Sequence, residues 1–168
     1  SYTDLGNGTV CDNVTGLEWQ QKSAPDTYRW QEAFDYCNNL ELGNHDDWRL
    51  PTIEEPSTLV DSGIPDPGPT VNIDYFPDTI GSAYSDYWSS TVDADVFTKA
   101  WIVHFSDGSV KGSSKMNALN VRAVRGELSS TAFRDNGDGT ITDTRTGLMW
   151  EIKTDDGGPR DKDNACTW

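Results

Sequence analysis

Histidine, cysteine and methionine are scarce: 168 residues hold two His, three Cys and two Met. None of Cys11, Cys37 and Cys166 lies in a Cys-x-x-Cys pair, and with so few histidines the ligand count argues against a zinc cluster. Basic residues are outnumbered, 13 Lys and Arg against 28 Asp and Glu, giving a formal net charge of −15. Phosphate contacts need clustered Lys and Arg, so nucleic acid is excluded as a general partner. No run of about 20 apolar residues occurs, the length needed to span a bilayer. No leader is recognisable near Ser1, as expected of a mature secreted chain. Nucleophile elbow, zinc signature, phosphate loop and Cys–His pair are all missing. Carboxylate pairs are plentiful in so acidic a chain and single out nothing. The expectation is a non-enzyme without a cofactor.

Aromatic residues are abundant: seven Trp, six Tyr and five Phe. Most are expected in a core, because aromatic rings bury large areas, and the surplus is the compositional sign of a binding surface. Gly, Ser, Asn, Asp and Pro are frequent and point to short strands joined by long loops.

One stretch is written twice. Asp4 to Lys22 reads DLGNGTVCDNVTGLEWQQK, and Asp135 to Lys153 reads DNGDGTITDTRTGLMWEIK, aligned without a gap. Asn7-Gly8 and Asp138-Gly139 are expected to form type I′ hairpin turns. Leu17 and Trp19, like Leu148 and Trp150, alternate as in a half-buried strand. The acidic loop of the second copy invites a calcium reading, but the EF-hand spacing fails. With Gly139 as sixth residue, the first and twelfth ligand positions fall on Arg134 and Arg145.

Between the copies, Trp30, Ala33, Phe34, Cys37 and Leu40 share one helical face, with Thr27 as N-cap and Gly43 as stop. Thr52 and Glu55 have capping-box spacing, so a second helix is expected from Thr52 to near Asp61–Gly63, shortened or distorted by Pro56. Arg49, with acidic neighbours, is expected in a structural ion pair. A loop rich in proline and glycine follows, tucking one or two of its aromatics near Tyr75 and Phe76 into the core. Strands are expected at Tyr84–Thr91, Lys99–Phe105 and Ser109–Lys111, with Asn120–Arg125 closing their sheet. Mid-strand His104 is read as structural or surface. Trp19, Trp30, Trp48 and Trp88 lie in periodic segments and are assigned to the core. Two thiol arrangements are open: a Cys11–Cys37 disulfide with Cys166 left over, or three reduced thiols.

The ordered set of W-R-L-P-T-x-E-E, Y-W-S-S-T, A-W-x-V-x-F-x-D-G and V-R-A-V-R-G resembles the Lcl C-terminal domain family, DUF1566. The resemblance covers residues 2–126, and residues 133–168 resemble the opening third of a second such domain, with residues 127–132 as linker. It implies an α+β fold of the C-type-lectin-like kind, two short helices packed on a small, mostly antiparallel sheet with long loops. Many relatives have cysteine at Ala123, which would deprive Cys37 of that partner here, and leucine at Pro56.

The resemblance further implies an adhesive or ligand-binding module outside the bacterial cell or on its surface, with a glycan the expected ligand. Tyr84, Asp86, Tyr87 and Trp101 are the candidate ligand-binding set, with Lys99, Lys111 and Lys115 as a local basic patch. Metal is not expected, although calcium is open. The alternative is a structural subunit of a surface fibre, homo-oligomeric or polymeric. Its assembly would use the partial second copy through Asp135, Gly139, Trp150 and Cys166, since about 35 residues cannot bury a core alone.

Overall fold

The computed structural model describes residues 1–65, 67–79, 81, 85–127, 133–143 and 148–151. The chain divides into two compact units, Ser1–Leu128 and Ser129–Trp168. Small antiparallel sheets and two short helices make it α+β.

The first unit opens with β1 (Tyr2–Asp4), β2 (Thr9–Asp12) and β3 (Glu18–Gln20). Positive φ falls on Gly6 and Gly8 but not on Asn7, so the expected type I′ turn is replaced by a wider one. Side-chain acceptors organise it: Asp4 takes the Gly6 N–H at 2.8 Å, and Asn7 takes the Thr9 hydroxyl at 2.7 Å. A short polar side chain that can accept two residues downstream competes with the tight hairpin.

Helix α1 (Trp30–Asn38) begins after Arg29, whose N–H is taken by the Glu32 carboxylate at 2.9 Å. Thr27 is therefore not its cap. Gly43 does not stop it either, since Gly43 and Asn44 form a tight turn of positive φ between Leu42 and His45. Helix α2 (Glu54–Ser57) starts two residues later than expected and lasts one turn. Pro56 falls at its third position, where the N–H has no intrahelical partner anyway, so the helix tolerates it.

Strands β4 (Asp86–Val92), β5 (Lys99–His104) and β6 (Ser109–Ser114) form a second sheet in that order. The expectation for Asn120–Arg125 needs correction, because this segment joins both sheets. Asn120 bridges β4 in parallel at Tyr87, whereas β7 (Val124–Arg125) pairs with β3. The first sheet runs β1-β2-β3-β7.

Alternation along β4 and β5 gives the middle sheet two buried faces. Tyr87, Val103 and Phe105 enter one cluster with Val10, Leu17, Trp19, Leu59, Phe76 and Val124. Trp88, Ala100 and Ile102 enter another with Ala33, Cys37, Trp48, Leu50 and Ala123. Trp19, Trp48 and Trp88 are core, as expected. Trp30 is only half-buried, its indole N–H bound to the Ser89 carbonyl at 2.8 Å.

The disulfide expectation also needs correction: Cys11 and Cys37 are free. Cys37 faces α1's buried cluster, while Cys11 lies half-buried on β2 opposite Thr3 and Glu18. Burial pushes the Cys37 thiol up to about 12. Burial, then the Glu18 and Asp12 carboxylates, raises Cys11. Cys166 lies outside the described residues.

The second unit has β8 (Phe133–Asp135), β9 (Thr140–Asp143) and β10 (Met149–Glu151). Its pairing repeats that of β1–β3. Asp135 pairs with Ile141 as Asp4 pairs with Val10, and Trp150 pairs with Ile141 as Trp19 pairs with Val10. The turn bonds repeat too, from Gly137 to Asp135 at 2.8 Å and from the Thr140 hydroxyl to Asp138 at 2.6 Å. Gly139, like Gly8, has positive φ.

Candidate ligand-binding site

Two ion-pair networks, each with one buried partner, hold the loops around the β4–β6 sheet. Arg122, 3 % exposed, donates to the carbonyls of Gln20 and Gln21, to Ser23 Oγ and Thr79 Oγ1, and to Asp78 at 3.0 Å. Its guanidinium also lies over the Phe76 ring, 4.8 Å from the centroid. Arg49 grips Glu55 with both terminal nitrogens, at 2.7 and 2.6 Å, and also binds the Gly126 carbonyl. Glu55 additionally accepts the Thr52 N–H at 2.8 Å, half of the expected capping box. That Glu55 hydrogen bond is the main reason the Arg49 guanidinium is held even more firmly protonated than usual. These are frameworks: their charges are spent inside the fold.

The exposed chemistry lies on the sheet itself. On the face that carries Trp88 and Ile102, the end of β4 places Asp86 opposite His104. His104 Nδ1 stands 2.6 Å from Asp86 Oδ1, and Lys111 Nζ of β6 stands 3.2 Å from the same oxygen. Asn120 fixes the strand end by donating its side-chain amide to the Asp86 carbonyl at 3.0 Å. Close by in the β5–β6 turn, the Ser109 hydroxyl and amide hold the Asp107 carboxyl below its usual range. The Lys111 side chain is half exposed, so of the three it is the one the cluster presents most to solvent, with His104 and Asp86 largely covered behind it.

The opposite face carries Trp101, partly exposed on β5 and paired across to Gly112 of β6. On its other side β4 breaks register between Trp88 and Val92, leaving a bulge there. Asp93 and Lys99 close over Gly112: a side chain built on that glycine would meet Asp93 Oδ2 at 3.2 Å and Lys99 Cδ at 3.5 Å.

Among the four candidate residues the structure makes a division. Asp86 and Trp101 lie on opposite faces of one sheet. Tyr87 is not exposed; it is a core residue, 5 % accessible, with its hydroxyl 2.7 Å from Ser23 Oγ. Tyr84 lies outside the described residues. The three lysines do not form one patch either. Lys111 turns to Asp86, Lys99 lies on the other face, and Lys115 sits over the Trp30 ring at 4.1 Å while binding the Phe97 carbonyl. Among the described residues, no three His, Cys, Asp or Glu side chains converge to hold a metal ion. No helix among them is long and apolar enough to cross a membrane.

The Lcl C-terminal domain family matches residues 8–125. The chain belongs to this family. The match runs from Gly8 to Arg125, so this Lcl C-terminal domain includes β2 to β7, Arg49 and Arg122, and the Asp86 and Trp101 groups. No curated protein matches the chain.

Sequence reading took His104 as structural or surface without its Asp86 partner, and it said nothing of where Asp93 and Gly112 lie. His104 and Asp86 come together only through strand register, which no local pattern encodes. Gly112 carried a legible signal, a glycine inside a strand, which marks a bulge or a close approach.

Proposed function

We propose that this Lcl C-terminal domain is a non-catalytic recognition module that binds glycans outside the bacterial cell, at its surface. The observation that carries the reading is the Asp86–His104–Lys111 cluster on an otherwise acidic protein. A carboxylate that can accept from sugar hydroxyls sits beside an ammonium that donates to them and an imidazole that orients the carboxylate, at a strand end. Charge-assisted hydrogen bonds of this kind are about twice as strong as neutral ones. The α+β layout, with short helices and long loops, agrees with the C-type-lectin-like architecture implied by the resemblance. The binding needs no cofactor. A glycan array probed with the labelled chain, with and without calcium, tests the reading. Retention lost in Asp86→Ala and Lys111→Ala supports it; an array blank in both conditions sinks it.

A second reading, a subunit of a surface fibre or homo-polymer, is favoured by the second unit. In the first unit the outer edge of β3 is paired by β7, and Trp19 is fully buried. The equivalent Trp150 is 57 % exposed, and β10 pairs only with β9 among the described residues. Open strand edges invite pairing with another chain. Asp135 and Gly139, which shape the turn, belong to the same element. Light scattering of the whole chain separates the readings: concentration-dependent polymers that Trp150→Asp dissolves support assembly, and a monodisperse monomer excludes it.

A further inference from the structure

We infer that Trp101, Asp93, Lys99 and Gly112 form a stacking subsite for a neutral pyranose unit, separate from the Asp86 cluster and on the opposite face of the sheet. The inference rests on the glycan reading above and narrows it.

In a regular three-stranded sheet, an aromatic residue on the central strand is flanked by a side chain on each side at about 5 Å. Trp101 lacks that cover twice over. Its β6 partner is Gly112, and on the β4 side Trp88 pairs with Ile102 and Val92 with Ala100, so Ser89, Ser90 and Thr91 bulge opposite it. Bulges recur where a side chain has to be re-aimed. The bulge is held in place: the Ser89 hydroxyl donates to the Trp101 carbonyl at 2.6 Å, and the Thr91 hydroxyl accepts the Ile53 N–H at 3.0 Å. The strand beside Trp101 is thus tied down at the bulge, and the residue stays partly exposed.

The rim has the complementary polar groups. Asp93 Oδ1 is occupied by the N–H groups of Asp95 and Val96, at 3.0 and 3.2 Å. Among the described residues, Asp93 Oδ2 and the Lys99 ammonium have no hydrogen-bond or ion-pair partner. One free acceptor and one side chain with a free donor therefore lie over Gly112, the cross-strand partner of Trp101. A pyranose presents the matching surface, a C–H face to stack on indole and equatorial hydroxyls that accept and donate at its edge. With both charge signs at the rim, an anionic sugar gains from Lys99 what it loses to Asp93, which selects the neutral class.

The test follows the indole N–H resonance of Trp101 in the full chain, assigned by its loss in Trp101→Phe. The probes are cellotetraose, chitotetraose and a heparin-derived tetrasaccharide at one ionic strength. A neutral tetrasaccharide is expected to move this resonance saturably. Trp101→Ala should weaken binding at least about tenfold, and Lys99→Ala or Asp93→Asn by about three- to tenfold. Gly112→Val, whose side chain would displace Asp93 and Lys99 from over that glycine, should abolish it, whereas Glu41→Ala, at an exposed position in neither cluster, should change it less than about twofold. Lys99 is exposed and Asp93 half exposed, so their variants test the site even if Gly112→Val misfolds. No response to either neutral probe, a stronger response to the heparin fragment, or equal binding by Trp101→Ala overturns the inference. A positive array that Trp101→Ala leaves unchanged sinks this subsite and spares the general reading; a blank array sinks both.

Discussion

Trp19 and Trp150 hold the same register position in two sheets of identical pairing, and they differ in cover. Trp19 opposite Val10 is 0 % exposed; Trp150 opposite Ile141 is 57 % exposed. In the first unit, the apolar residues that cover Trp19 come from β4, β5, β7 and the loops around α2. Trp19→Ala should therefore cost about 3–5 kcal/mol in urea unfolding of the first unit. Trp150→Ala should cost less than about 0.5 kcal/mol. Equal costs would mean that Trp150 is covered in solution.

The Trp19 indole N–H is buried and has no hydrogen-bond partner among the described residues. Replacing it by phenylalanine removes an unsatisfied donor along with some volume. Trp19→Phe is expected to cost about 1 kcal/mol or less, far below Trp19→Ala, measured by the same urea midpoints. A loss as large as that of alanine would show that the N–H is satisfied.

Arg122 gathers β3, the Asp78–Thr79 loop and the segment before β7 around one buried cation. Arg122→Met keeps much of the packing but strands two carbonyls and Asp78. The expected loss is about 3–5 kcal/mol by chemical denaturation, with Asp78→Asn costing less because its carboxylate is partly exposed. A neutral Arg122→Met would deny the network its structural role.

Glu55 is 2 % exposed and satisfies both Arg49 and the Thr52 N–H just before α2. Glu55→Gln keeps an acceptor for Thr52 and loses the paired charge; Glu55→Ala loses both. Alanine should cost about 2–4 kcal/mol and glutamine roughly half, because Arg49 retains the Gly126 carbonyl and partial solvent. Amide exchange at Thr52 should speed up in alanine more than in glutamine.

Several raised acids make stability fall at alkaline pH, Cys37 and Tyr2 most strongly. Burial raises Cys37 from 9.0 to about 12, and burial with the Asp12 and Asp61 carboxylates raises Tyr2 from 10.0 to about 12. In both, the folded state keeps its proton while the unfolded chain releases it. The contribution is complete below the unfolded values and is lost as pH climbs to the folded ones. The Cys37 slope grows from pH 9 and approaches about −1.4 kcal/mol per unit above pH 10, with Cys11 adding in the same direction. Cys37→Ala should make the fall shallower, and Tyr2→Phe should act mainly above pH 10. Urea midpoints at half-unit steps read both; unchanged slopes would show that neither group is perturbed.

Local chemistry was legible where neighbours in the chain settle it. The α1 face, the Glu55 contact to Thr52, the burial of Trp19, Trp48 and Trp88, and the duplicated stretch with its pairing all follow from short-range pattern and turn chemistry. Boundaries slipped where a side chain competed with the backbone, as Asn7 did in the first turn and Glu32 at the start of α1. The thiols misled because helical spacing shows that Cys37 is inward but not which strand it meets.

What the amino-acid order determined by itself was the family, the α+β class and the repeat, since these rest on periodicity and motif order. Tertiary structure decided which residues share a surface. Strand alternation and one bulge put Asp86 with His104 and Lys111 on one face and Trp101 with Asp93, Lys99 and Gly112 on the other. The physical reason is that a strand's side-chain period is two, so one step of register sends a side chain to the other face. Register is set by pairing between distant segments, which no local stretch of sequence contains.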